Sequence, residues 1–411
     1  MLTGRRGRVK GDRRLAGIDW ASNVHAVCVL EQDGGVRARF DVPNTGKSFD
    51  GLVKRLGKLG VADVAIERPD GPLVEALLEA GVRVFVVAPR MLKALRQRYG
   101  ATGAKSDPGD AYVLADVLRT DGHRLKALIA DSAETKVLRA LTRTRKDLVE
   151  ARVALENQLR AQLEVCFPGA IGLFHELSSA VSIAFLRRYP TTRSAQRLTE
   201  ARLAAFLHRI GYCGRKPVAE LLARVKEAPE AGITEAEAEG RAICVAALVD
   251  AIELSNAKAR ELQAEVVERL ETHRDAAIFT SLPRAGRGVR AASLLAEIGD
   301  ARERFPDEEC LAALAGVAPV TKASGKSRSV GFRWACDKKL RNALIDFVDD
   351  SRHASPWAAR IYTNAIARGK RHPHAIRILA RAWVRVIWRM WQDGKPYDVS
   401  KHGGAAMLQA A

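Results

Sequence analysis

The chain has 411 residues, 47% of them hydrophobic, which is enough for two or three globular domains with real cores. Sixty-seven Lys and Arg against 48 Asp and Glu give a formal charge of +19, which favours polyanionic partners, nucleic acid first, although a merely basic housekeeping protein carries the same bulk charge. Six cysteines with no Cys-x-x-Cys pair argue against a zinc knuckle or disulfide framework and for a reducing cytosol, and no apolar run reaches membrane-spanning length.

Residues 1–13 form a basic arm rather than a signal peptide, because no apolar stretch follows them. Arg14–Ile18 and Val24–Leu30 are apolar and β-branched, and Asp33-Gly34-Gly35 supplies a hairpin turn before a third strand near Val36–Val42. Next come a helix (Phe49–Leu59), a strand (Ala62–Glu67), a helix (Pro72–Ala80), a strand (Val82–Ala88) and helices around Arg90–Arg98 and Pro108–Leu118. Three antiparallel strands followed by alternating α and β elements is the order of an RNase H-like sheet, so an α/β domain is predicted over residues 14–125.

No proline interrupts Ser132–Val165, where Leu138, Leu141, Leu148, Val153, Leu155 and Leu159 keep a helical apolar stripe, and Glu235–His273 has the same character. Two such helices pack as a hairpin or dimerise as a coiled coil, and the heptad register is too loose to choose. A coiled-coil-like helical middle is therefore predicted over 130–275, with a smaller helical insert at 166–234. From Ile278 the composition turns to Gly, Arg and Trp, which reads as a compact α-rich domain over 278–397 before a frayed tail at 398–411.

Four carboxylates stand out. Asp19 ends the first strand in Gly17-Ile18-Asp19-Trp20, Glu67 ends the fourth, and Asp107 and Asp110 open a helix in Lys105-Ser106-Asp107-Pro108-Gly109-Asp110. In an RNase H-like sheet the first and fourth strands are neighbours, so these acids converge as oxygen ligands for two Mg²⁺ (or Mn²⁺) suited to phosphoryl displacement. Asp107 as N-cap before Pro108 is the competing reading for the helical pair. Asp19 and Glu67 resist a bland reading better, since acids beside buried strands are costly unless paired or metal-bound.

In the C-terminal region, Ser281-Leu282-Pro283-Arg284-Ala285-Gly286-Arg287-Gly288 before a helix Arg290–Gly299 looks like a helix-hairpin-helix turn. Gly286 and Gly288 would let backbone N–H groups approach a phosphate, with Arg284 and Arg287 beside it; an unliganded glycine-rich turn is the alternative. Downstream, Thr321-Lys322-Ala323-Ser324-Gly325-Lys326-Ser327-Arg328 places a serine among cations. Lys322, Lys326 and Arg328 could activate a Ser324 nucleophile or merely make a phosphate-binding loop, and its neighbours alone leave both open. From Lys322 to Lys395 there are 17 Lys and Arg against 5 Asp and Glu. Within it Arg377, Arg381, Arg385 and Arg389 recur every four residues, a stripe able to track a phosphate backbone or simply a solvated helix face, with Trp383, Trp388 and Trp391 read as core.

The GIDWAS strand end, the isolated Glu67, Val86-Val87-Ala88-Pro89 and KSDPGDA resemble the RuvC-like domain of the DEDD transposases of the insertion-sequence 110 family. The run AALAGVAPVTKASGKSRS, with Gly331 and Lys338-Lys339-Leu340-Arg341, resembles that family's C-terminal domain, in which the serine of the Ser-Gly pair is the nucleophile. Ala323 and Arg287 depart from the commonest choices without removing a group the chemistry needs. The resemblance implies a recombinase of mobile DNA whose Ser324 attacks a phosphate beside the Asp19, Glu67, Asp107, Asp110 set. Ser327 and Ser329 are the substitutes for that serine.

It also implies target and donor DNA chosen by a noncoding guide RNA. A reaction joining several DNA strands calls for a homodimer or tetramer, the two motifs on separate domains leave open whether a site is shared between subunits, and a bacterial cytoplasmic, nucleoid-associated location without membrane contact is expected. The alternatives are a metal-dependent junction nuclease using water, and a non-catalytic nucleic-acid-binding protein.

Overall fold

A computed structural model describes residues 14–99, 106–229, 232–286 and 288–402. The expected basic arm, Lys105, Arg287 and the end of the tail lie outside them. The chain divides after Ala130 into two compact units.

The first unit holds strands β1 (Arg14–Asp19), β2 (Val24–Leu30), β3 (Val36–Pro43), β4 (Val61–Ile66) and β5 (Arg83–Val86) and helices α1 (Gly46–Lys58), α2 (Pro72–Glu79), α3 (Pro89–Arg96) and α4 (Asp107–Asp121). They form a single sheet in the order β3-β2-β1-β4-β5. β1, β2 and β3 are antiparallel, and β4 and β5 run parallel to β1. The mixed sheet follows from the connections: short turns join the first three strands, whereas helices carry the chain over to β4 and β5.

Alternation along β1 separates two cores. Ala16 and Ile18 join Phe49, Leu52 and Leu56 of α1 and Leu73 and Leu77 of α2. Leu15 joins Leu92 of α3 and Val113, Leu114 and Val117 of α4. Gly17 and Asp19 share the parity of Leu15 and so lie on the α4 face. Gly17 has to be glycine for that packing, because a Cβ there would come within 2.1 Å of the Ala111 carbonyl and 2.4 Å of the Ala115 nitrogen. α4 thus lies directly on the strand that ends in Asp19.

The second unit opens with α5 (Ala133–Cys166) and contains α6 (Ala180–Arg188), α7 (Thr192–Ala195), α8 (Glu200–Arg209), α9 (Val218–Glu227) and α10 (Glu235–Thr272). α5 and α10 pack against each other as an antiparallel hairpin: Arg145 bonds Gln263, Arg152 bonds Asn256 and Arg241 bonds Gln162. At one end Leu159 and Leu163 meet Val245 and Val249 in an aromatic-rich core built with α6, α8 and α9 around Phe167, Phe185 and Phe206. At the other end Leu138, Val266 and Leu270 enter the core of the C-terminal helices.

Those C-terminal elements are α11 (Ala276–Thr280), α12 (Val289–Ile298), α13 (Glu308–Leu314), β6 (Val320–Ser324), β7 (Ser327–Gly331), α14 (Lys338–Ser351), α15 (Pro356–Ala367) and α16 (His372–Asp393). Phe347, Trp383 and Trp391 are fully buried at their centre. The long hairpin and the C-terminal helices therefore share one core, where sequence spacing had drawn a boundary near residue 277.

Candidate active site and nucleic-acid surface

Asp19 is the last residue of β1 and only 5% exposed, and Glu67 follows β4 half-buried. Asp107 is the exposed first residue of α4, and Asp110, one turn on, is 2% exposed. The reading of Asp107 as N-cap is corrected here. Ser106 caps α4, its hydroxyl accepting from the Gly109 N–H. The serine one position earlier already reaches the third-residue amide, so the Asp107 carboxylate is left at the first helical position, where the helix dipole favours it.

Asp110 is held by Arg96 at the end of α3, whose Nε and Nη2 donate to its two carboxylate oxygens. This bidentate bond comes first in raising the Arg96 pKa above its usual value, and the charges of Asp110, Glu67 and Asp19 add to it. Three of the four predicted acids thus act on one guanidinium. Among the described residues no three His, Cys, Asp or Glu side chains are grouped closely enough to hold a metal ion, and Asp110 is turned onto Arg96 instead. The donor chemistry does fit a hard divalent cation: oxygen ligands only, two of them nearly buried, in a field that already stabilises a cation.

Ser324 ends β6, paired across the hairpin with Ser327. Gly325 and Lys326 form the two-residue loop, and the φ of +53° at Gly325 is the positive angle a tight hairpin turn requires at that position. Cross-strand partners share a face, so Ser324 lies with Ser327, Lys322 and Ser329, while Ala323 and Arg328 point the other way. From Thr321 to Gly331 every residue is exposed. The sequence reading has a loop here because Thr321-Lys322-Ala323-Ser324 shows no apolar alternation, which is what a strand without a buried face looks like.

The glycine-rich turn is less open. Arg284 adopts a φ of +61° and pairs with Asp350, which also binds Arg290. Arg290 donates in addition to the Arg284 carbonyl. Gly286 has open space around it, and Gly288 begins α12 with no side-chain cap.

Residues 16–168 match a family model described as a transposase of the DEDD, IS110 type, and residues 276–363 match one for the IS116/IS110/IS902 transposase family. The "Mini-circle putative transposase for IS117" of Streptomyces coelicolor is 32% identical over 407 residues, covering 97% of this chain and 98% of that one. The chain belongs to the IS110 family of transposases. A 43.6 kDa protein of insertion element IS110 from the same organism is 26% identical over 95% of this chain and 97% of its own. A 42 kDa protein of insertion element IS900 from Mycobacterium paratuberculosis is 28% identical over 95% and 98%. The family's enzymes are DNA transposases, and its DEDD designation points to divalent metal use.

In this transposase the arginine stripe of α16 is largely engaged within the protein. Arg377 lies over the Phe332 ring at 4.7 Å, Arg381 pairs with Glu309, Arg385 approaches Glu308 at 3.9 Å and Arg389 pairs with Asp393 at 2.9 Å. Trp383 and Trp391 are buried, and Trp388 donates to the Phe305 carbonyl at 2.8 Å, so these tryptophans are core. No described helix is long and apolar enough to cross a membrane. Sequence reasoning missed Arg96, which carries no motif of its own. Phe332 and Trp334, two aromatics in a segment with neither helical nor alternating apolar partners, also drew no reading from the sequence.

Proposed function

We propose that this transposase cuts and rejoins insertion-sequence DNA through Ser324. Its Oγ forms a bond to a backbone phosphorus while one ester bond to deoxyribose breaks. The serine proton is lost and the departing sugar oxygen takes one up, so a phosphoserine–DNA link conserves the ester for rejoining. The observation that carries this reading is the position of Ser324: the exposed end of a hairpin, sharing a face with Lys322, in the one basic stretch of its unit. Residues 131–411 hold 45 Lys and Arg against 33 Asp and Glu, and without Lys322–Lys395 the remainder is 28 against 28. The positive charge of that unit is thus concentrated around the hairpin, where it lowers the cost of a developing phosphorane.

We further infer that the first unit is RNase H-like, in its RuvC-like form, supported by the β3-β2-β1-β4-β5 order with α4 on the sheet. Asp19, Glu67, Asp107 and Asp110 are the residues that would hold Mg²⁺ or Mn²⁺. When bound, the cation supplies charge neutralisation at the scissile phosphate. The chain's own part is to present Asp19 and Glu67 at adjacent strand ends and to bring Asp110 onto the same face by the close approach of α4 at Gly17. Guidance by a noncoding RNA and assembly as a homodimer or tetramer belong to this proposal. A single discrete RNA among the nucleic acids that copurify with the protein is its expected signature.

The test is a suicide DNA substrate incubated with Mg²⁺. Wild-type protein is expected to become covalently attached to DNA, and Ser324→Ala to lose the adduct while remaining folded and DNA-bound. Free DNA ends released by Ser324→Ala would instead establish hydrolysis by water. Retained activity in both Asp19→Asn and Glu67→Gln would remove the carboxylates from the chemistry.

A further inference from the structure

At the end of the hairpin, Gly331-Phe332-Arg333-Trp334 carries a half-buried phenyl ring and an indole that stands in solvent. Trp334 is 77% exposed, the highest value among the large apolar side chains of the described residues. Its ring meets Phe332 edge-on, with centroids 4.9 Å apart and planes at 89°. Phe332 is in turn bracketed by two guanidinium groups, Arg341 at 5.5 Å and Arg377 at 4.7 Å from its centroid. Two arginines thus hold Phe332, and Phe332 meets Trp334, most of whose indole surface remains exposed.

The rings line a 440 Å³ cleft that also contains Asn342, whose amide is able to hydrogen-bond a base edge, and Asp349 and His372, the latter already bonded to the Tyr362 hydroxyl. On the other side of Phe332 a 650 Å³ cleft contains Arg333, Lys370, Arg377 and Arg381. Arg333 Nε and Arg381 Nη1 are buried there without a hydrogen-bond acceptor. Buried donors with no partner mark a place for an anion or water to complete.

An exposed tryptophan costs solubility unless something covers it, and this one stands in the stretch that carries the whole charge excess of residues 131–411, which disfavours a basic partner surface. The closed stack of a paired duplex presents no base face to such an indole, but a base that has left the stack can lie on its exposed surface. We propose that Trp334, braced by Phe332, is a stacking platform for an unpaired base of the DNA strand on which the transposase acts. The adjacent phosphates are held in the neighbouring cleft by Arg333, Lys370 and Arg377. DNA is the source because the family acts on DNA, and the site is contiguous with the hairpin yet does not depend on Ser324 being a nucleophile.

The test uses full-length protein and three probes of one sequence: duplex DNA with a short unpaired bubble containing 2-aminopurine, the fully paired duplex, and single-stranded RNA. Wild-type protein is expected to quench the 2-aminopurine. Trp334→Ala is expected to lose that quenching and roughly tenfold in affinity for the bubble, with paired duplex unchanged and with Trp334→Phe restoring most of the loss. Because stacking adds no charge, the salt dependence of bubble binding should be unaltered in Trp334→Ala and shallower in Arg377→Gln. Equal loss on bubble and paired duplex would overturn the proposal, as would a Trp334 dependence seen with the RNA and absent with the DNA. The exposure of Trp334 makes a folding defect in the Trp334 variants easy to recognise, since their melting temperature should not move.

Discussion

Arg96 and Asp110 set a competition at the level of single residues. Asp110 is almost fully buried and its charge is balanced by a guanidinium that also feels Glu67 and Asp19. On the proposed carboxylate site a divalent cation would have to take Asp110 from Arg96, so the arginine would both stabilise the metal-free protein and weaken its metal affinity. Removing one partner of a buried pair typically costs about 3 kcal/mol. Arg96→Gln should therefore melt earlier than wild type in chelator, and gain more in melting temperature on addition of Mn²⁺ or Mg²⁺, because ligand binding to the folded state stabilises it by mass action. Thermal shift titrations of both proteins check this. Equal metal-induced shifts would show that Arg96 does not guard the carboxylates. That these acids lie at strand ends and in the first turn of a helix was legible in sequence, because strand ends and a helix start have residue signatures. Arg96 was not, because only the packing of α3 beside α4 puts its guanidinium on Asp110.

At the scale of elements, most of the first unit followed from local pattern. The expected strands Arg14–Ile18, Val24–Leu30 and Val36–Val42 correspond to β1, β2 and β3 within a residue, and the expected helix from Pro72 to α2. Such agreement is physical: β-branched runs, a Gly-Gly turn and Pro at the first helical turn act within a few residues of themselves. The hairpin at Ser324 was missed for the converse reason, since neither of its faces is buried. The shared core of the α5–α10 hairpin with α12, α14 and α16 was also invisible, because it joins residues more than a hundred positions apart. Gly17 shows how an element contact serves the site. Its missing Cβ lets α4 lie on β1, and Gly17→Ala has to push backbone against backbone at Ala111 and Ala115. Overpacking of this kind costs about 3 kcal/mol. Urea unfolding should show that loss, and the displaced α4 should lower cleavage activity even under conditions where the variant stays folded. A Gly17→Ala protein as stable and active as wild type would mean that α4 does not need the close approach.

For the whole molecule, the informative quantity is the distribution of charge rather than its total. Residues 1–130 carry 22 Lys and Arg against 15 Asp and Glu, and in residues 131–411 the entire excess falls between Lys322 and Lys395. The helices from Ala133 to Leu314 hold many arginines, yet most of those described are paired with nearby acids, as Arg143 with Glu297 and Arg187 with Asp250 and Glu253. Counterion release depends on cations that meet phosphates, not on cations already neutralised in the fold. Replacing Lys322, Lys326 and Arg328 together by Gln should therefore reduce the magnitude of the slope of log affinity against log salt for duplex DNA by roughly 2 to 3, at about 0.9 per lost phosphate contact. The same triple change at Arg197, Arg202 and Arg209, exposed on the helical insert, should leave the slope unchanged. Both variants lose the same formal charge, so a purely global electrostatic effect predicts equal slopes for the two. Fluorescence anisotropy of a labelled duplex titrated at several salt concentrations distinguishes these outcomes, and a larger effect from the insert triple would move the DNA surface away from the Ser324 hairpin.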